Sequence, residues 1–435
     1  MKDTAFTDQG AGDTAIFERR ESEVRSYCRG FPAVFTKAQG STLTDAEGRE
    51  YIDFLAGCSS LNYGHNDPDM KAALVAHVTD DGIAHGLDMY SVDKAAFLET
   101  FERLILSPRG WDHRVMMTGP TGTNAVEAAI KLARKVTGRR NVVAFTNGFH
   151  GMTLGALALT GNASKRAGAG TELNGVTHMP YDGALGADVD TLGIVEAMIE
   201  NGSSGVDKPA AFVVEPVQGE GGLNAASEAW LKGLDALAKK HGILMIVDDI
   251  QAGIGRAGGF FSIDGMGIEP DMVPLAKSLS GFGLPFAMLL VKPELDVWKP
   301  AEHNGTFRGN THAFVTARAA LEKFWSDDAF LTEVQEKGEH LKARLETMAR
   351  MVPGARLKGR GMMRGIDVRD GELAEAICAR CFEEGLIIET SGAEDEVVKV
   401  LAPLTTPPQI LREGLNIVIQ AARDVLSAET EIAAE

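Results

Sequence analysis

Positive charge is scarce in this chain. Lysine and arginine total 43 against 61 aspartates and glutamates, a formal net charge of −18 over 435 residues. Nucleic-acid phosphates and anionic membrane surfaces repel so acidic a protein, so neither is expected as a partner. Long apolar runs are missing too, since none approaches the roughly 20 residues that a membrane-spanning helix needs. Cysteine is rare, at 4 residues. That is too few for a disulfide framework and points to the cytoplasm. The pair Cys378-Ala-Arg-Cys381 has redox or zinc spacing, but no second pair accompanies it. It lies in a helical pattern from Glu372 to Phe382 and reads as two thiols on one helix face, with no metal expected. Residues Met1 to Gly12 are polar, read as a loose tail, and do not form a secretory signal. Internal repeats and low-complexity segments are absent as well.

What remains is an ordinary globular composition, 44% hydrophobic and 24% charged, in a chain long enough for two or three domains. A helix is expected from Asp13, as N-cap, to about Tyr27, where Pro32 soon stops it. Val34 to Leu55 alternates like an antiparallel meander, with turns at Gly40 and at Glu47-Gly48. Pro68 opens a helix to about Asp81, and another runs from Val92 to Leu106. From Val115 the pattern changes to apolar strands alternating with helices, the grammar of a parallel, doubly wound α/β sheet. Its strands begin at Val115, Val142, Val176, Ala211, Leu244, Met272 and Phe286. A helical stretch from Asn310 to Met351 breaks near Ser326, and Arg356 to Ala428 reads as α+β. The expected division is a small-domain segment over 1–65, a large domain over 66–325 and the rest of the small domain over 326–435.

The chemistry gathers at the strand ends. Ile243 to Val247 is apolar without alternation, as in strands covered on both faces, and it ends on two acids, Asp248 and Asp249. The next run, Met272 to Ala276, ends on Lys277. In open α/β sheets that edge is where ligands bind. An acid and a lysine at neighbouring strand ends suit the ring nitrogen and the aldehyde carbon of pyridoxal phosphate, although a plain ion pair is an equal reading of these residues alone. Thr118-Gly-Pro-Thr-Gly-Thr-Asn124 opens a helix with small residues, which suits a phosphate cradle or simple N-capping. Phe149, flanked by glycines in Asn147-Gly-Phe-His-Gly151, suits ring stacking or core packing. Glu215-Pro-Val-Gln-Gly-Glu220 brings two acids to a glycine-rich loop, and Gly305-Thr-Phe-Arg-Gly-Asn310 adds a hydroxyl and a guanidinium.

Together these motifs resemble the class III, or ornithine/GABA-type, aminotransferases of fold type I, across Val34 to Leu426. Within that family, Leu61-Asn-Tyr-Gly-His65, Gly119-Pro-Thr-Gly-Thr-Asn-Ala-Val-Glu-Ala128, Asp249-Ile-Gln-Ala-Gly253 and Leu386-Ile-Ile-Glu-Thr-Ser-Gly392 are similar to the branch that serves ectoine biosynthesis. The resemblance implies a large, mostly parallel-sheet domain with a smaller α+β domain from both chain ends, and pyridoxal 5′-phosphate as cofactor. It implies Lys277 as the Schiff-base lysine and proton shuttle, and Asp248 as the partner of the ring nitrogen. Phe149 and Ile250 would sandwich the ring, Gln251 would lie near its 3-oxygen, and Gly122 and Thr123 would hold the phosphate. Thr306 would reach in from a second subunit, which makes a homodimer the minimal unit, with higher homo-oligomers open. Glu215 and Glu220 would form the site wall.

One departure stands out. Where many relatives carry an arginine that pairs with the acid at Glu220 and clamps a substrate carboxylate, this chain has Lys399, which lacks the bidentate fork. The expected switch opens the Glu220–Lys399 pair to free Lys399 for the carboxylate. The alternative leaves Lys399 on a solvated strand and gives the carboxylate to Arg308 or Arg364. The expected reaction interconverts L-2,4-diaminobutyrate plus 2-oxoglutarate with L-aspartate 4-semialdehyde plus L-glutamate. The rivals are another ω-transaminase of the class, using ornithine, GABA or a 2,4-diaminobutyrate destined for siderophores, and a pyridoxal-phosphate aminomutase.

Overall fold

Three short strands, β1 (Phe35–Gln39), β2 (Thr42–Asp45) and β3 (Glu50–Asp53), form an antiparallel meander in the computed structural model, which describes residues 12–434. Its two turns fall on Gly40 and Gly48, at φ 56° and 86°, a backbone region in which a side chain would be strained. The tail expected over 1–12 lies, but for Gly12, outside the described residues.

The central sheet has seven strands: β4 (Arg114–Met117), β5 (Val142–Phe145), β6 (Val176–Met179), β7 (Ala211–Val214), β8 (Leu244–Val247), β9 (Met272–Leu275) and β10 (Met288–Val291). Their order is β4-β10-β9-β8-β7-β5-β6. All neighbours pair in parallel except β10, which is antiparallel to both β4 and β9. Every residue of β5, β7, β9 and β10 is buried. Both faces are covered, and for that reason these strands show no polar alternation. Val142, Ala144, Val213 and Ile246 pack beneath the helix Gly122–Thr137, through its Val126, Ala129, Ile130 and Ala133. Val143, Phe145, Phe212 and Val247 point the other way, into a core with Trp230, Leu234, Phe97 and Phe314.

The helices Thr311–Phe324 and Ala329–Ala349 interrupt the chain where expected, at Ser326. Beyond them come β11 (Arg356–Arg360), β12 (Met363–Asp367), β13 (Leu386–Ile387), β14 (Glu389–Ser391) and β15 (Val397–Val400). A sheet of order β11-β12-β15-β14 results, while β13 leaves it to pair in parallel with β3. The two chain ends thus share one sheet. Cys378 and Cys381 are free thiols buried in the helix Gly371–Glu383.

The first helix differs from expectation. It spans only Ala15–Arg20, with Thr14 rather than Asp13 as N-cap, and Glu21 is already extended. A separate turn covers Tyr27–Gly30. Neither piece buries a residue, and Ile16, Phe17 and Val24 are exposed. With no apolar stripe against the body, nothing sustains the helix to Tyr27. No helix of the described residues is long and apolar enough to cross a membrane.

Candidate active site

Successive residues at the end of an extended strand point to opposite sides, and Asp248 and Asp249 do so after β8. Asp248 is buried. Its Oδ2 lies 2.6 Å from Nδ1 of buried His150, and its Oδ1 accepts the Ile250 N–H at 3.2 Å. Burial disfavours the charged imidazole, but the hydrogen bond and charge of Asp248 outweigh it and raise His150 above the ordinary histidine range. Asp249 turns to the Ser262 amide, 2.9 Å away, and its Oδ1 is buried without a partner among the described residues. Burial pushes this carboxyl up to about 7.

Lys277 follows β9, the parallel neighbour of β8. Its φ of 52° is rare for a residue with a side chain and marks backbone held in place by its surroundings. The hold is visible: the Ser278 hydroxyl donates to the Ser59 carbonyl at 2.6 Å and accepts the Asn62 N–H at 2.9 Å. The Lys277 ammonium has no hydrogen bond or ion pair among the described residues and faces a pocket of about 410 Å³. Phe149, Glu220, Cys58 and Tyr27 line the same pocket.

Gly122 begins the helix Gly122–Thr137. A Cβ there would meet Cδ1 and Cγ2 of Ile250 at 3.0 and 3.1 Å, so the absent side chain lets the helix start press onto Ile250. The N–H groups of Gly122 and Thr123 are unbonded among the described residues, whereas Asn124 N–H returns to the Thr121 carbonyl. Free amides at the start of a 16-residue helix suit an anion. The Thr123 hydroxyl lies 2.7 Å from that of Thr153. Phe149 is fixed from behind, its N–H donating to Glu215 Oε2 at 2.8 Å while Gly219 N–H donates to Oε1 at 3.3 Å. Burial pushes Glu215 up to about 7, a rise that the nearby His150 partly offsets.

Glu220 and Lys399 meet as expected, at 3.1 Å, but Lys399 also holds Glu389 at 2.9 Å. Lys399 is 0% exposed, so it is not the solvated strand residue of the alternative reading. Burial acts to lower its pKa, yet the two carboxylates keep it raised. Burial likewise opposes the charge on Glu220, but Lys399 and then Lys277 hold it down at about 2. Gln251 donates to Glu220 Oε1 at 3.0 Å and to the Cys58 carbonyl at 3.3 Å, which ties it to the wall of the pocket. Beyond Glu389 the network runs on to Cys58 Sγ, 3.6 Å away, and from there to the Tyr27 hydroxyl at 2.9 Å.

Arg364 donates to the carbonyls of Gly359 and Gly361, and Arg308 donates to that of His303. Neither lines the Lys277 pocket. Thr306 is exposed on its loop and does not line it either. Sequence reasoning missed His150 and Glu389 as site residues. His150 had a signal, standing next to Phe149 in the same motif. Glu389 is the cross-strand partner of Lys399 between β14 and β15, a register with no signature in the residues alone.

The profile of the family Aminotransferase class-III matches residues 26–422. The chain is 54% identical over 420 residues to the diaminobutyrate–2-oxoglutarate transaminase of Bordetella parapertussis, covering 96% of this chain and 97% of that protein. It is also 54% identical to the protein of that name from Halomonas elongata, over 95% of this chain and 100% of the other. Among solved structures, the ornithine aminotransferase of Toxoplasma gondii superposes with a TM-score of 0.83 at 27% identity, covering 96% and 94% of the two chains. An S-selective transaminase from Bacillus megaterium shares the fold, with a TM-score of 0.86 at 22% identity over 95% and 98%. That fold is the expected type I α/β architecture. The chain belongs to the class-III aminotransferases and is a pyridoxal-phosphate-dependent enzyme.

Proposed function

We propose that this enzyme exchanges the 4-amino group of L-2,4-diaminobutyrate with the keto oxygen of 2-oxoglutarate, reversibly giving L-aspartate 4-semialdehyde and L-glutamate, in the cytoplasm and for ectoine synthesis. The observation that carries the substrate choice is 54% identity over nearly the full length to enzymes named for this reaction. The site residues fit the cofactor. Gly122 and Thr123 offer free amides to its phosphate where a Cβ on residue 122 would crowd Ile250. Asp248, hydrogen-bonded to His150, would present a buried carboxyl group to the ring nitrogen, Gln251 would lie near the ring oxygen, and Phe149 and Ile250 would offer apolar faces. When bound, pyridoxal phosphate supplies an electrophilic carbon for the amino group and a ring that withdraws charge from the neighbouring carbon.

The chain's own groups do the rest. Lys277 is the amine that attaches the cofactor, and it moves the proton at the substrate carbon bearing nitrogen. Its strained backbone, pinned through Ser278, fixes where that amine starts. Glu215 anchors the backbone of Phe149, and Glu220, kept ionised by Lys399, forms the wall facing the substrate. Thr306, exposed in its own chain, completes the phosphate site of a second copy in a homodimer.

A donor screen tests the reading. With 2-oxoglutarate as acceptor, diaminobutyrate should exceed ornithine, GABA and β-alanine in kcat/KM. A preference for ornithine or GABA would move the enzyme to another branch of the class. Turnover of diaminobutyrate without any keto acid would make it an isomerase.

A further inference from the structure

Lys165 stands where two cavities meet. The Lys277 pocket and a second cavity of about 440 Å³ share Phe149, Lys165 and Glu220 in their walls. Across both walls the cations among the described residues are Lys165 and Lys277 alone. In the reading above, Lys277 is the reacting amine. Lys399 lines neither cavity and lies fully buried between Glu220 and Glu389. Turning it toward a substrate would break the two ion pairs that hold its buried ammonium, a costly move. Arg166 is occupied elsewhere, donating to the carbonyls of Leu157, Ala158 and Thr160. Lys165 is different. Its backbone is fixed by Asn162 Oδ1, 3.0 Å from its N–H, while its exposed ammonium has no hydrogen bond or ion pair among the described residues.

The two substrates ask for one cation at one place. When diaminobutyrate reacts at its 4-carbon, its carboxylate carbon lies three bonds farther along the chain. When 2-oxoglutarate reacts at its keto carbon, its distal carboxylate carbon lies three bonds away as well. A single cation at a fixed distance from Lys277 can therefore ground the distal carboxylate in both half-reactions. The diamino acid differs in carrying an ammonium on the carbon next to that carboxylate, and Glu220 shares the walls with Lys165. We infer that Lys165 grounds the distal carboxylate of both substrates while Glu220 receives the α-ammonium of the diamino acid, an assignment that rests on the transaminase reading above. Lys399 then has a positioning role, keeping Glu220 charged when the methylene of 2-oxoglutarate lies opposite it.

The test uses the holoenzyme and the variants Lys165→Met and Lys165→Arg. Donors are diaminobutyrate and 1,3-diaminopropane, the same diamine without its carboxylate. If 1,3-diaminopropane turns over too slowly, its inhibition constant against diaminobutyrate replaces its KM. Lys165→Met should lower kcat/KM for diaminobutyrate and 2-oxoglutarate by about tenfold or more through KM, the loss of a charged hydrogen-bond partner. Binding of 1,3-diaminopropane should stay within about twofold, since no charged contact to it is removed, and Lys165→Arg should recover much of the loss. Equal losses for both diamines, or an unchanged KM for diaminobutyrate, would overturn the role of Lys165. A wild-type enzyme that fails to transaminate diaminobutyrate would instead overturn the substrate reading beneath it.

Discussion

Asp248 faces His150 at 2.6 Å, whereas its neighbour Asp249 turns to the Ser262 amide. In the role proposed above, Asp248→Asn should keep the cofactor bound but slow turnover by at least about a hundredfold, because a neutral amide would no longer hold the proton on the ring nitrogen. Should Asp249→Asn prove the crippled enzyme and Asp248→Asn near normal, the assignment is off by one residue. Asp249 makes a different prediction. Its carboxyl rises from 3.8 to about 7 in the fold, so the folded state favours the neutral form. Its contribution to stability is complete below the lower value and lost as pH rises through the upper one. Urea midpoints of Asp249→Asn should therefore gain on wild type between about pH 4 and pH 7 and level off above. A gap that stays constant over that range would refute the burial argument. The two acids themselves were legible, since together they end one apolar run. His150 was not legible as the partner of Asp248, because 98 residues separate them and only the β5–β7–β8 arrangement brings them together.

At the level of elements, the strands of the central sheet were the plainest signal, because burial on both faces leaves runs such as Leu244–Val247 unbroken by polar residues. The first helix was misjudged for the complementary reason, since a helical pattern with no surface to cover carries little stability. The contact that fixes the Lys277 turn could not be read at all. It joins Ser278 to Ser59 and Asn62, more than 200 residues earlier. Ser278→Ala leaves the Asn62 N–H without its acceptor and should cost about 1–3 kcal/mol of stability, seen in chemical unfolding. Turnover should fall further than cofactor affinity, because the displaced group is the reacting amine of the mechanism proposed above. A variant as stable and as active as wild type would show that the turn holds itself. At the helix start, Gly122→Ala brings a methyl to 3.0 Å from Ile250. Overpacking of this kind should weaken cofactor binding by about 1–3 kcal/mol in a titration of the apoenzyme. Unchanged affinity would mean that Ile250 yields and that the close approach is not needed.

For the whole molecule, the single chain leaves an apolar surface uncovered. Ile83, Leu87, Met89 and Tyr90 are exposed, Tyr90 at 99%. Phe307, also exposed, joins them through an edge contact with His85 at 5.0 Å, and Arg308 lies 3.9 Å from Asp88. Apolar patches of this kind, rimmed by charge, mark protein interfaces, and a second copy of this chain is the occupant in the dimer proposed above. Thr306 precedes Phe307 on this loop, is exposed and does not line its own Lys277 pocket. Thr306→Ala should weaken cofactor binding by about 1–2 kcal/mol, the loss of one hydrogen bond to a charged acceptor. Which chain it serves is settled by mixing Thr306→Ala chains with Lys277→Ala chains, each defective in its own homodimer. In a mixed dimer with shared sites, one site combines an intact lysine with an intact threonine and the other carries both defects. Titration of the mixture should then reveal a class of sites with wild-type affinity and activity that neither parent shows. If Thr306 acts within its own chain, every site in the mixed dimer carries one defect and no such class forms.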